Sequence, residues 1–357
     1  MNICLCSTWL VENQYNLTSR RVLALIPSYA IYSLRSGRSL LTLLYLTGQM
    51  EASDPRDKIY ALLGLYSMWA RTKGFWMAPV VPNYKKTVPE VYGDLVRCFL
   101  AVERHVFYEE GSLRIMLKNE ISINTKVKHD EDECHFPSWV PRLDRWSVRM
   151  AGFSRARRSA DWTPSSNVPR VIGDMIDPNI LSLKGLVVSS IEFLGQFIDY
   201  SVDTPAANKA CLRQTLTDVL RRPLVYGGVD SMKLAFARTL TAGKAKDEAN
   251  FEPFDTDDLE AFIDGPENAK GRLFADKLWS WMGFFTTTDG YMGIGSMNMH
   301  LGDLIVVLFG GEVLFILRSE GENYSLVGEC YVHGLMDGEA MAMLASGERQ
   351  EQWFHIQ

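Results

Sequence analysis

The feature that most constrains this chain is its last third. The stretch "GYMGIGSMNMHLGDLIVVLFGGEVLFILRSEGENYSLVGECYVHG", residues 290 to 334, breaks into four runs rich in Val, Ile, Leu and Tyr. Gly-Asp, Gly-Gly and Glu-Gly-Glu-Asn turns separate them, so consecutive hairpins are predicted. The Gly310-Gly311 pair offers the positive φ angles of a two-residue hairpin turn. "LIVVLF" and "VLFIL" are apolar at successive positions, not alternate ones, so both faces of these strands must be covered. A small closed barrel of five or six strands, wrapped by helices, satisfies that demand. "NILSLKGLVVSSIEFLG", residues 179 to 195, has the period of a strand and is expected to complete it.

The first half reads as helical. In "EASDPRDKIYALLGL", residues 51 to 65, Asp54 and Pro55 form a helix-start pair, and Asp57 stands where a capping box places its acid. Ile59 and Leu63 then share a face, and Gly64 is expected to end a short helix. On this reading Asp54, Arg56, Asp57 and Lys58 cap a helix and are not a catalytic cluster. Residues 87 to 103 repeat the grammar, with Thr87 and Glu90 as a capping box and Val91, Leu95, Cys98, Phe99 and Val102 as an apolar stripe.

Residues 136 to 170, rich in Pro, Trp and Arg, read as a connection between a mainly helical region (1 to 135) and the barrel (171 to 345). Residues 205 to 285 are expected to be a helical insertion, with Asp230 or Ser231 capping a helix whose Met232, Ala235, Phe236 and Leu240 face inward. "DEANFEPFDTDD" is expected to be a loop. The fold class is therefore α+β: a helical N-terminal half followed by a small antiparallel β-barrel with a helical insertion.

Few motifs in the chain carry chemistry. "HDEDECHF", residues 129 to 136, lacks the second short-spaced Cys or His pair of a metal site. "GYMGIG" has the wrong glycine spacing for a dinucleotide loop and leads into a strand, not a helix. No P-loop, nucleophile elbow or His-Glu-x-x-His pair occurs. Cys330 and His333, three apart in a strand, point to opposite faces. Between residues 142 and 158 stand Arg142, Arg145, Arg149, Arg155, Arg157 and Arg158. They form a candidate anion patch, or else lay their stems over the neighbouring tryptophans. The formal charge of −6 argues against broad binding to nucleic acid or anionic membrane. Six scattered cysteines do not make a disulfide scaffold, and "SLLTLLYLTG" is about half the length of a membrane span. A cytoplasmic protein with no catalytic, metal or cofactor site is expected.

A set of short words runs in order from about residue 40 to 340. It comprises Asp54-Pro55-Arg56-Asp57-Lys58-Ile59-Tyr60-Ala61-Leu62-Leu63-Gly64-Leu65, Val91-Tyr92 with Asp94-Leu95, Pro137-Ser138-Trp139-Val140-Pro141 and Leu183-Lys184-Gly185. There follow Ala235-Phe236-Ala237-Arg238-Thr239-Leu240, Gly290-Tyr291 with Gly293-Ile294-Gly295, and Gly302-Asp303. The last runs Leu326-Val327-Gly328-Glu329-Cys330-Tyr331-Val332-His333-Gly334-Leu335-Met336-Asp337-Gly338-Glu339. In these words the chain resembles the fungal heterokaryon incompatibility (HET) domain family.

The Tyr-x-x-Leu-Ser-Tyr-x-Trp-Gly and Ile-Asp-x-x-Cys-Ile-Asn-Gln segments usual in that family's α/β core do not occur, so the likeness is to the region after the core. Arg142-Leu143-Asp144-Arg145-Trp146 also departs from the family's Asp-Trp. The resemblance implies non-self recognition between fungal strains and cell-death signalling. It leaves this chain as an accessory module, a shortened form or a remnant, with a protein partner and a scaffold role. Two alternatives stay open: an NAD-consuming enzyme like the TIR-like relatives, or a small barrel that binds nucleic acid.

Overall fold

A computed structural model describes residues 40–47, 50–72, 80–101, 136–143, 162–174, 176–196, 205–247, 252–265, 271 and 282–357. The chain divides into two compact units. Of the described residues, Leu40–Val88 belong to the first, and the rest, apart from Leu143, to the second.

The first unit holds α1 (Leu40–Thr47) and α2 (Asp57–Thr72). Helix α2 runs well past Gly64, which the sequence reading made its end. Gly64 does not adopt the left-handed conformation, and eight further residues continue the helix. Alanine and leucine on either side favour helix strongly enough to carry one glycine, which costs about 1 kcal/mol. Ile59, Leu62, Leu63 and Tyr66 form its buried face.

From Pro89 on, α3 (Val88–Ala101) belongs to the second unit; in it Val91 and Leu95 are buried as expected and Tyr92, Val96 and Leu100 widen the face. The sheet of this unit has seven strands: β1 (Leu181–Leu194), β4 (Met282–Thr287), β5 (Met292–Ser296), β6 (Leu304–Leu308), β7 (Leu314–Glu320), β8 (Asn323–Val332) and β9 (Glu351–Ile356). The order is β4-β5-β8-β7-β6-β1-β9, and β1 also pairs with β4. The ladder of β1, β4, β5, β8, β7 and β6 thus returns on itself.

What lets β1 do this is its length and two irregularities, between Val187 and Ser189 and between Ile191 and Phe193. Bulges of this kind bend a strand and increase its twist. Its first half lies between β9 and β6, and its last residues pair with β4. All pairings are antiparallel except a single parallel bridge between Tyr324 of β8 and Ile356 of β9.

The doubly apolar runs behave as predicted. Ile305 to Leu308 and Leu314 to Leu317, two runs of four strand residues, have no exposed surface, so both faces of β6 and of the first half of β7 are covered. The turn between them is longer than predicted, residues 309 to 313, and only Gly310 of the glycine pair has positive φ (79°). The two-residue hairpin turn falls instead at Gly321-Glu322.

Five elements depart from the sequence reading. Strand β4 occupies 282–287 in a stretch expected to be helical. A small β2 (Ala245–Asp247) and β3 (Glu252–Pro253) pair, and α6 (Thr256–Ile263) follows, where a loop was expected. Strand β9 lies beyond the expected end of the β region. The helices of the insertion that lie within the described residues are α4 (Pro205–Val219), α5 (Val229–Leu240) and α6; α7 (Glu339–Ala345) precedes β9. Met232, Ala235, Phe236 and Leu240 of α5 are buried as predicted, with Phe236 packed 5.0 Å from Phe284 of β4. Gly228, not Asp230 or Ser231, occupies the N-cap position, without a side-chain cap.

Candidate functional site

The Asp54 word folds into a clamp. Asp54 accepts from the Arg56 backbone N–H (3.0 Å) and takes the guanidinium in two parallel bonds, Nε to Oδ1 at 2.9 Å and Nη2 to Oδ2 at 2.8 Å. Arg56 Nη1 donates to the carbonyls of Tyr84 (2.7 Å) and Lys86 (2.8 Å). Tyr84 Oη donates to Asp57 (2.5 Å), and Tyr60 Oη both accepts from Asn83 N–H and donates to its carbonyl. Lys58 reaches the Met50 carbonyl. The bond from Arg56 holds the Asp54 carboxyl below its ordinary pKa. In these bonds the word ties the start of α2 to the 83–86 segment.

The words of the second unit are also occupied. Ser138 donates its N–H to the Gln357 carbonyl (2.9 Å); its hydroxyl accepts from Leu326 N–H (2.8 Å) and donates to the same Gln357 carbonyl. It therefore bridges β8 to the end of β9, beside the Tyr324–Ile356 bridge. Trp139, buried, donates from Nε1 to the Asn179 carbonyl (2.9 Å), and Arg97 of α3 stacks 4.6 Å over its ring. Gly93 lies against the same ring, where a Cβ would come within 3.2 Å.

In the Gly302-Asp303 word, the buried Asp303 accepts from His300 N–H (2.7 Å) and takes Arg318 in two bonds of 2.9 Å. Gly302 has a φ of +87°. Gly293 and Gly295 lie within strand β5 and give room to Phe285 and Ile316, which removes any phosphate loop from "GYMGIG".

The last word holds the most chemically varied cluster. Gly328 (φ +153°) sits at a register shift between β7 and β8, Glu329 is buried, and Cys330 is fully buried with its thiol pKa pushed up. His333, just past the end of β8, bonds Tyr331 Oη through Nδ1 (3.1 Å) and stacks on Tyr226 at 5.5 Å and 29°. Tyr226 Oη donates to the His333 carbonyl and accepts from Met292 N–H, both at 2.8 Å. Burial, and then the positive charge of Arg238, lower the His333 pKa to about 4. Burial raises the Tyr331 and Tyr226 hydroxyls above their ordinary range. A neutral imidazole and protonated phenols packed this way fasten backbone segments together; neither phenol is a ready nucleophile. Beyond them Gly334 and Gly338 take positive φ, and Asp337 N–H donates to Glu339 (2.8 Å) at the start of α7.

Asp54 and Asp57 belong to the first unit, Glu329 and His333 to the second. Of the arginine patch only Arg142 is described; it lies 4.1 Å over the Phe136 ring. Arg145, Arg149, Arg155, Arg157 and Arg158 lie outside the described residues, as does "HDEDECH". Among the described residues no group of three or more His, Cys, Asp or Glu could hold a metal, and no helix is long and apolar enough to cross a membrane.

Sequence reasoning missed Arg318, Tyr226 and the Lys246 cluster. Lys246 Nζ meets Asp258 (2.6 Å), Asp255 (2.7 Å) and Glu252 (3.3 Å), while Asp255 and Asp258 form the capping box of α6. Burial acts to raise the Asp255 pKa, but the bonds from Lys246 and Asp258 outweigh it and hold the carboxyl at about 2. The Asp255-x-x-Asp258 spacing was the available signal for that cap.

Residues 275–356 match the Het-6 beta-barrel domain family. The chain is 24% identical over 345 residues to heterokaryon incompatibility protein 6, OR allele, of Neurospora crassa, the alignment covering 80% of this chain and 49% of the relative. It thus spans about half the length of the curated relative it matches. No solved structure matches. Taken with the words above, these matches make the chain similar to heterokaryon incompatibility (HET) proteins, with a match to the Het-6 beta-barrel domain family in its last quarter.

Proposed function

We propose that this protein is a non-catalytic interaction and regulatory module in fungal non-self recognition, acting in heterokaryon incompatibility and the cell death that follows it. One observation carries the reading: the polar residues of the shared words bond one another or the backbone. Asp54 holds Arg56, Ser138 bridges β8 and β9, Asp303 holds Arg318, and His333 is locked between two tyrosines. Side chains bound in this way set architecture and present a shaped surface to a protein partner. The circuit of six strands is read as a small closed barrel, a reading supported by the β1–β4 pairing and the description of the matched family. In this domain scheme a helical region reaches to 135, a connection runs from 136 to 170, and the barrel begins at 171. The protein works in the cytoplasm, and its site residues are the architectural ones named above.

The test is a heterokaryon assay. The chain is expressed in one fungal strain, which is fused with strains of like and unlike incompatibility type. Reduced heterokaryon recovery in the unlike pairing alone, with no loss of NAD when purified protein is incubated with it, is the expected result. NAD consumption matching an active control overturns the non-catalytic reading, and equal recovery in both pairings overturns the role in recognition.

A further inference from the structure

His333 stands where the helical insertion meets the ends of β5 and β8. Its main chain is bonded on both sides: its N–H donates to the Met292 carbonyl (2.9 Å), and its carbonyl accepts from Tyr226 Oη, which also takes Met292 N–H. Its ring lies between the Tyr226 ring and the Tyr331 hydroxyl. We propose that His333 is an acid-sensitive latch that holds the Tyr226 loop and α5 on the sheet and releases them when the imidazole takes up a proton.

The groups around the ring set the direction. Arg238 of α5 opposes a positive charge on His333, and its buried Nε has no hydrogen-bond partner among the described residues. Tyr226, from the loop, and Tyr331, from β8, are neutral phenols. Asp337 and Glu339 of the following turn act on the Tyr331 hydroxyl. Protonation thus places a second cation in a partly buried site that already faces one.

The sign follows from linkage. The latched imidazole has a pKa of about 4 against an ordinary 6.5, so the released state binds the proton first. The latch is fully closed above pH 6.5 and weakens as pH falls toward 4. Opening should be about 30-fold more frequent at pH 5 than at pH 7.5. Release uncovers the apolar face of α5, Met232, Ala235, Phe236 and Leu240, together with its neighbour Phe284.

The test is amide hydrogen exchange on the full chain at pH 7.5 and pH 5, expressed as protection factors. In the wild type, residues 224 to 240 should lose protection about 30-fold while β6 and β7 keep theirs. In H333Q that acid-induced loss should shrink to a few-fold. An equal loss in H333Q and wild type, or no selective loss in wild type, overturns the latch. Should H333Q fail to fold, the NMR titration of wild-type His333 decides: a midpoint near 4 supports the latch, and one near 6.5 removes it. R238M, which takes away the opposing charge, should move that midpoint upward.

Discussion

Replacing Asp303 by alanine tests the claim that the family's words are architectural. The carboxylate is 3% exposed and accepts three N–H groups, two from Arg318 and one from the His300 backbone. Losing the backbone bond to the buried carboxylate costs about 1 kcal/mol. Arg318 is 30% exposed and keeps a bond to the Asn298 carbonyl (2.7 Å), so water partly replaces its lost partner. The charged pair therefore counts for about 2 kcal/mol, below what a fully buried pair would lose.

The expected total is about 3 kcal/mol, or roughly 6 to 12 °C in Tm for a domain of this size. Urea or thermal unfolding of the second unit reads it, with the first unit's transition followed separately because two units need not unfold together. A double-mutant cycle of D303A with R318M should return a coupling of roughly 1.5 to 2 kcal/mol that survives moderate salt. D303N, which retains one acceptor for His300 N–H but turns an amide toward the guanidinium, should fall between. A D303A protein within about 0.5 kcal/mol of wild type, or additive single mutants, would refute the reasoning.

G185A should cost at least about 2 kcal/mol by the same unfolding assay, because a Cβ there would lie 2.1 Å from the Val307 carbonyl oxygen and force β1 from β6. G64A should do the opposite, stabilising α2 by about 0.5 to 1 kcal/mol, since Gly64 is mid-helix, exposed, and has open space where the methyl would go. S138A removes an acceptor from Leu326 N–H and a donor from the Gln357 carbonyl; a loss of about 1 to 2 kcal/mol, with faster exchange of the Leu326 amide, is expected. Y60F should leave the fold intact but raise exchange at the Asn83 amide, which donates to that hydroxyl.

Local rules were legible in the sequence wherever neighbours in the chain decide the outcome. The start of α2, the inward face of α5 and the doubly buried β6 and β7 follow from capping residues, a period of 3.6 and unbroken apolar runs. Strand β4 was not legible because "MGFFTT" is short and apolar, a pattern that suits a buried helix as well as a strand. Only its ladders with β1 and β5 decide between them. Strand β9 failed for a related reason: "EQWFHI" buries Phe354 and Ile356 alone, and it is held by a partner some 170 positions earlier in the chain.

The same distinction explains what was visible in the candidate site. Asp54 was legible as the residue that starts a helix, but its bond to Arg56 was not read, even from two positions apart; Asp303 finds Arg318 only after a hairpin forms, and His333 finds Tyr226 across 107 residues. Acidic, basic and aromatic residues can therefore stand in the sequence as words while the bonds that give them meaning are long-range. In this chain a motif is a poor guide to chemistry until the strands that bring its residues together are known.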